Sequence, residues 1–256
     1  MVNFSIDDIK NRVIFGIPLF DSEGNPFPDD LSQSYLDSAI SWAEQKLNIA
    51  IQPRTIVSEE HDYFLNDFTN WGYLKLWKKP VLSVQSVEMY YGNQKMFTIP
   101  SDWLKIDTLS GQITMFPTSG SAGGMIITAS GGLVTPLLTG NISYAPKLWR
   151  ITYTAGMNDD ADGSQGYVQN DMLPQLREVI YKKAAIGILG VWGDLIIGAG
   201  IANQSVSMDG FSQSIGTTQS PMFGGASARI KQLEEDINSY MPALKAYYNG
   251  IDFTVI

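Results

Sequence analysis

Residues 73–92 read YLKLWKKPVLSVQSVEMYYG, and this stretch decides the fold class because it contains two β-like runs divided by a proline. In the first run, Leu74 and Leu76 share one face and alternate with polar or aromatic neighbours, which is the two-residue period of a strand. Pro80 denies the next strand a donor at its first residue, where the loss is tolerated. The stretch therefore predicts two strands with a boundary at Pro80.

Strand patterns continue on both sides of this stretch. Runs rich in β-branched and aromatic residues begin at 55–57 and 63–65 and recur, between turn formers, as far as residue 154. Their connections are short, which predicts antiparallel pairing, with a hairpin turn at 109–111. The three-residue spacing of Val84 and Val87 predicts a β-bulge between them. We expect an antiparallel β domain over residues 55–154.

Helical periodicity flanks this β domain. Residues 1–54 are predicted to supply N-terminal helices, a short one from Ser5 and a long one opened by a capping pair of Asp30 and Gln33. Residues 155–250 are predicted to supply C-terminal helices, with a long loop or hairpin near 203–226. The predicted fold class is therefore α+β, a helical bundle built from N- and C-terminal helices with an inserted antiparallel β domain.

Two features of the C-terminal region remain open to interpretation. The run 184–202 is apolar over a length close to a membrane span, but the charge of Asp194 and five glycines favour a buried helix whose small residues permit close packing. Pro242 is expected to kink or divide the helix that begins at Ser227. The last six residues, 251–256, alternate as a strand does, and we interpret them as a docking tail.

Composition excludes several classes of function. The net charge of −9, with only 17 lysines and arginines, argues against a surface that grips duplex DNA. The chain has no cysteine, so disulfides, thiolate metal sites and cysteine nucleophiles are excluded. An acidic N-terminus, without the basic start of a signal peptide, indicates synthesis in the cytoplasm.

A weak calcium-binding pattern lies at NDDADGSQGYVQ, residues 158–169. Asn158, Asp160 and Asp162 have the spacing of the first positions of a calcium loop, but the twelfth position is Gln169 instead of glutamate. A solvated connector is favoured over a bound calcium ion. We expect no other metal site and no cofactor, because His61 is the only histidine and its neighbours are carboxylates.

The order of five segments carries a family resemblance. LKLWKKPVLSVQSVEMYY is followed by FTIPSDWLKIDTLSGQITMF, then by WRITYTAGM and LPQLREVIYKKAA, and upstream lies DDLSQSYLDSAISWAEQKLNIAIQPRTI. In this order, over roughly residues 5–190, the chain resembles bacteriophage head–tail connector proteins, also called adaptors. The segment from Leu195 onward departs from the shorter members of that family.

The resemblance implies a structural virion protein without enzymatic activity. Such a protein is made in the host cytoplasm and forms a ring, usually of twelve copies, under the portal protein at the virion neck. The ring joins the capsid to the tail through a stopper or tail-completion protein. Genomic DNA passes through it without specific binding, and no membrane is involved. The acidic charge suits such a channel because it repels phosphate.

Ring formation requires complementary surfaces on each subunit. We expect these surfaces to include apolar residues of the last helix, of the polar segment near 203–226 and of the docking tail, namely Leu233, Ile237, Met241, Leu244, Phe211, Ile215, Ile251, Phe253, Val255 and Ile256.

Two other functions are weighed beside the connector. Six tryptophans and twelve tyrosines on a β-sheet could form a tail-associated module that binds carbohydrate or a receptor. A carboxylate-dependent hydrolase is less favoured. Its only support is the number of acids, and the adjacent Glu234, Glu235 and Asp236 point in different directions on a helix.

Overall fold

The computed structural model describes residues 2–20, 23–66, 73–115, 142–159, 171–197, 203–208, 211–216 and 226–249. The fold is α+β, as the sequence predicts. The chain divides into two compact units. The β unit comprises Met1–Val2 and Asn48–Met172, and the helical unit comprises Asn3–Leu47 and Leu173–Ile256.

Three long helices build the helical unit. A short helix α1 (Ile6–Asp8) continues as a π-helical turn, Ile9–Val13, and is followed by α2 (Asp29–Leu47), α3 (Pro174–Ile197) and α4 (Ser227–Asn249). Helix α3 packs against both α2 and α4, and α2 also contacts α4. Each helix buries residues at helical spacing, which makes one apolar core: Leu36, Ala39, Ala43 and Leu47 from α2, Leu176, Val179, Ile180, Ala184, Ile188 and Leu189 from α3, and Ile230, Leu233, Ile237, Met241 and Leu244 from α4.

Small residues of α3 let the helices approach closely, as predicted for the apolar run. A Cβ atom at Gly187 would overlap the ring of Tyr35 on α2, so only glycine fits there. Asp194 lies on an exposed part of the helix. Within the described ranges, no helix combines the length and apolarity needed to cross a membrane.

One expectation about these helices was wrong. Helix α2 begins at Asp29, before the expected capping pair, and the Gln33 amide donates to Asp37 Oδ1 at 2.8 Å instead of reaching back to cap the helix. Helix α4 runs continuously through Pro242, so the proline does not divide it, and the expected kink stays a prediction.

The β unit contains two antiparallel sheets. Strands β1 (Arg54–Phe64), β7 (Tyr144–Ala155), β3 (Val81–Tyr91) and β4 (Gln94–Ile99) form one sheet in that order. Strands β2 (Tyr73–Lys75), β6 (Gln112–Met115) and β5 (Leu104–Asp107) form the other. A shared core of buried side chains includes Tyr63, Leu74, Leu76, Val87, Ile113, Trp149, Ile151 and Tyr153.

Several details of the opening stretch are confirmed. Strand β3 begins directly after Pro80, and its register with β7 shifts between Val84 and Ser86, where the bulge was predicted. The hairpin turn between β5 and β6 includes Gly111, whose φ of 72° suits glycine and whose N–H donates to Asp107 O at 2.9 Å. The runs at 55–57 and 63–65 belong to one long strand, β1, which register shifts interrupt.

Part of the polar segment near 203–226 forms a hairpin. Strands β8 (Asn203–Met208) and β9 (Phe211–Gly216) pair antiparallel over their whole length, from Asn203 with Gly216 to Met208 with Phe211. Of the two forms that the sequence left open, loop or hairpin, these residues adopt the hairpin. The strand patterns expected within 116–141 lie outside the described residues.

Candidate interaction site

Trp77 is a large aromatic residue exposed on the β unit. It follows β2, and 65% of its surface is accessible even though Leu74 and Leu76 beside it are buried. A large aromatic side chain in water is a common anchor of protein interfaces. We therefore describe first how the chain holds this residue in place.

The hydrogen bonds that position Trp77 begin at Glu59 on β1. Because side chains alternate along a strand, Glu59 and His61 lie on the same side as the fully buried Tyr63. The Glu59 side chain is only 2% exposed. A carboxylate in such a position requires hydrogen-bond donors, since an unpaired buried charge is costly.

Three donors converge on this carboxylate. His61 Nε2 donates to Glu59 Oε1 at 2.7 Å, and the backbone N–H of Trp77 donates to the same oxygen at 3.0 Å. The hydroxyl of Tyr153, on β7, donates to Oε2 at 2.6 Å and accepts from the Lys78 N–H at 3.0 Å. We call these groups the Glu59 network: Glu59, His61, Tyr153 and the backbone amides of Trp77 and Lys78.

The network keeps Glu59 ionised. Burial alone would raise the pKa of Glu59, but the hydrogen bonds from His61, Tyr153 and Trp77 together hold it below its ordinary value of 4.5. Burial and the hydrogen bond to Glu59 raise the pKa of the Tyr153 hydroxyl. Tyr153 therefore remains a neutral donor to a charged acceptor, which is the stronger kind of hydrogen bond.

The network fixes the backbone that carries the exposed Trp77 ring. Two consecutive amides, those of Trp77 and Lys78, are bound to the Glu59 network. The Trp77 ring lies beside the His61 ring with 5.4 Å between centroids. Lys75 and Lys78 are both exposed next to it. We call Lys75, Trp77 and Lys78 the Trp77 patch. Holding these residues in place before binding lowers the entropic cost of a contact.

The polar face of the four-stranded sheet has a different character. Glu60 pairs with Lys147 at 2.8 Å and with Arg150 at 3.4 Å, and the Arg150 guanidinium lies 4.1 Å from the centre of the Tyr90 ring. Glu88 pairs with Lys95. These charges neutralise one another across neighbouring strands, which is typical of a solvated face.

The helical unit has an apolar groove of its own. The loop between the π-helical turn and α2 exposes Phe15 over 80% of its surface and Phe20 over about half. A groove of about 560 Å³ runs along this loop, lined also by Ile17, Pro18 and Pro26. The Trp192 indole of α3 donates to Pro18 O at 3.0 Å and fixes one wall.

The helix residues predicted as interface lie inside the helical unit. Leu233 and Leu244 are almost fully buried, and Ile237 and Met241 are less than one-tenth exposed. These four side chains pack within the chain's own bundle, so they present no surface to a neighbouring subunit. Their periodicity identified a buried face correctly, but the partner that covers it is the same chain.

Other predicted site residues are only partly described. Phe211 and Ile215 lie on β9, where their backbones pair with Met208 and Gln204. Asp160 and Asp162 of the calcium pattern fall outside the described residues. The tail residues fall outside them as well, namely Ile251, Phe253, Val255 and Ile256.

The one described member of the calcium pattern is Asn158. Its backbone forms an isolated parallel bridge with Asp171. In the part of the chain that the structure describes, no three His, Cys, Asp or Glu side chains are grouped as a metal site would require.

The sequence indicates for His61 only a histidine beside carboxylates. The alternation of Glu59, His61 and Tyr63 could have placed the carboxylate on the inward face. The sequence offers no pattern that pairs Glu59 with Tyr153, because strand pairing brings them together from 94 positions apart.

Comparison with known proteins gives structural neighbours only. No family model and no curated protein matches the chain. Among solved structures, it is similar to a chain from the neck of an empty gene transfer agent particle, with a TM-score of 0.37 and 14% identity. It is also similar to a chain from the virion of a native gene transfer agent particle, with a TM-score of 0.38 and 12% identity. Each similarity covers 71% of this chain and 76% of the other.

Proposed function

We propose that this chain is a structural protein of a phage virion, a head–tail connector whose copies form a ring under the portal. The ring joins the capsid to the tail and continues the DNA channel. The proposal rests on the order of the connector-like segments over residues 5–190. The observation that favours a role in assembly is Trp77, an exposed aromatic anchor held in place by a buried network.

A closed ring needs two different surfaces on each subunit, because every interface joins one flank to the opposite flank. The chain offers such surfaces on separate units. The Trp77 patch belongs to the β unit, and the helical unit exposes Asp30 and Asp37 on α2 as well as the groove beside Phe15 and Phe20. Exposed apolar side chains of this kind are typical of protein contacts.

The charge of the chain suits a conduit for DNA. With 26 acidic against 17 basic residues, each subunit repels phosphate, and a ring of subunits multiplies that repulsion. DNA can then pass without adhering. Strong salt-dependent binding of duplex DNA to the purified protein would count against this part of the proposal.

We assign docking roles to two further segments. The tail residues Ile251, Phe253, Val255 and Ile256 are proposed to add a strand to, or fill apolar pockets of, a neighbouring chain or the portal. Phe211 and Ile215 on the β8–β9 hairpin are proposed to contact the next ring of the neck, formed by the stopper or tail-completion protein.

The experiment that tests the proposal measures attachment to portal-bearing capsids. Purified chain is mixed with capsids that carry the portal and with capsids that lack it, and bound protein is quantified after sedimentation. We expect binding only where the portal is present, at about twelve copies per capsid. A chain that stops at Gly250 should bind more weakly. Equal binding to both kinds of capsid, or none, would reject the connector.

One observation favours a second candidate, a tail-associated carbohydrate- or receptor-binding module. Trp77 and Tyr91 expose aromatic rings on the β unit, and such rings can stack on sugars. Retention on immobilised host glycans, lost in Trp77→Ala, would support it. The hydrolase gains nothing from Glu59, because that carboxylate is buried and already accepts three hydrogen bonds.

A further inference from the structure

We propose that the Trp77 patch of one copy docks on the exposed face of helix α2 of a second copy. The inference rests on the proposed function, since it names the contact that would close the ring. It assigns one residue set to each side of the interface. The Trp77 patch is the inserting side, and the α2 face, defined as Asp30, Gln33, Ser34, Asp37, Ser41 and Trp42, is the receiving side.

The inserting side combines an aromatic anchor with positive charge. Trp77 is flanked by the exposed Lys75 and Lys78 in a chain whose net charge is −9. Tryptophan surrounded by a polar rim is the composition found most often at the energetic centre of interfaces. A cationic patch on an acidic protein also has a partner available in every other copy of the same protein.

The receiving side offers the opposite charge beside an apolar side chain. Asp30 and Asp37 are exposed on α2, on the same open face as Trp42. Trp42, half-buried in this face, provides an apolar surface. The amide of Gln33 donates to Asp37 Oδ1 at 2.8 Å, so this carboxylate is oriented on the face.

The two sides differ in structure, which fixes the kind of assembly they can make. One lies in the β unit and the other in the helical unit, so a contact between two copies leaves one free patch and one free α2 face. Such a heterologous contact propagates, and it closes into a ring when the rotation between subunits permits. A two-fold symmetric dimer is not expected from these surfaces.

Charge reversal and rescue test the contact. Sedimentation velocity of the full chain should show that K75E/K78E and D30K/D37K each weaken self-association at least about tenfold, because like charges then face each other. The variant with all four changes should recover to within about threefold of the wild type. The control K231E/K245E makes the same charge change on exposed lysines of α4 and should leave association unchanged.

Unchanged association in K75E/K78E would overturn the inference, and so would a combined variant that does not recover. A wild type that associates neither alone nor on portal-bearing capsids would overturn it as well. Where the free chain is monomeric, the same series is measured as copies retained per portal-bearing capsid. Wild-type self-association without capsid binding would reject the connector function and leave this contact standing. Capsid binding that K75E/K78E does not alter would reject the contact alone.

Photo-crosslinking identifies the surface that Trp77 meets. The full chain with p-benzoylphenylalanine at position 77 is mixed as ¹⁵N-labelled and unlabelled copies and irradiated. We expect crosslinks between differently labelled copies, ending within residues 30–45 of α2. Crosslinks to a glycan, to another protein, to other regions of the chain or within a single copy would contradict the proposal.

Discussion

Each of the two units of this protein is stabilised by a different kind of internal contact. The helical unit joins α2, α3 and α4 through apolar side chains, and the charged pairs of Lys182, with Glu178 at 2.7 Å and Asp236 at 2.8 Å, lie at the border of this core. The β unit adds a buried carboxylate, Glu59, to its apolar core. Buried polar groups stabilise little but fix geometry when all are satisfied. The difference indicates that hydrogen bonds as well as apolar packing fix the geometry of the β unit around Trp77.

The largest expected effect concerns the apolar core of the helical unit. Leu189→Ala should lower the free energy of unfolding by about 3 to 4 kcal/mol, because a fully buried leucine leaves a cavity. Hydrogen exchange should accelerate in α2, α3 and α4, while the amides of Trp77 and Lys78 keep their protection. Faster exchange at those two amides would show that the two units are not independent in stability.

Removal of the buried carboxylate should have a slightly smaller effect on stability and a larger one on local order. Glu59→Ala should cost about 2 to 3 kcal/mol, because the donors of Tyr153 and Trp77 lose their acceptor. The Trp77 and Lys78 amides should exchange much faster. Glu60→Ala, which removes a carboxylate on the solvated face, is the matched control and should leave those amides protected. Equal behaviour of the two variants would refute the role of the network.

The ionisation of Glu59 predicts how stability depends on pH. Because its pKa is lower in the folded chain than its ordinary 4.5, the carboxylate stabilises the fold fully above that value. This contribution is lost as the pH falls through the lowered pKa. When urea unfolding is measured between pH 6 and the acid limit of folding, the free energy of unfolding should therefore fall less for Glu59→Gln than for the wild type. Parallel curves would mean that Glu59 does not titrate in this way.

The smallest effect on stability is expected at the exposed residue itself. Trp77→Ala removes an accessible ring and should change the free energy of unfolding by less than about 1 kcal/mol. Association between copies should nevertheless fall sharply, since an interface anchor is lost. Size-exclusion chromatography with light scattering compares it with Tyr91→Ala, another exposed aromatic residue of the β unit. A loss of stability comparable to that of Glu59→Ala would mean that Trp77 acts in stabilising the fold and not as an interface anchor.

Much of the fold could be predicted because its patterns are local. The bounds of β3, Val81–Tyr91, follow from alternation and from Pro80, and the stripe of α2 follows from helical spacing. The element that covers an apolar stripe is not determined by the local pattern. The spacing of Leu233 and Leu244 predicts an interface, whereas both are buried within the helical unit of the same chain. An amphipathic pattern shows that a face is buried but does not identify the element that covers it.

The candidate site was less accessible to sequence reasoning. Trp77 lies within the opening stretch, but its exposure depends on where the chain leaves β2. The Glu59 network depends on the register of β1 with β7, in which Glu59 pairs with Ile151. Register between distant strands is set by packing and bulges across the whole sheet, so no short segment encodes it.

The central claim is that this protein acts by binding copies of itself at a capsid vertex. Its most direct test is a cryo-electron microscopy reconstruction of the neck of portal-bearing capsids incubated with the purified chain. We predict a closed ring of this chain beneath the portal, with Trp77 of each subunit against α2 of the next. A neck without this chain, or a ring in which Trp77 faces solvent, would contradict that prediction.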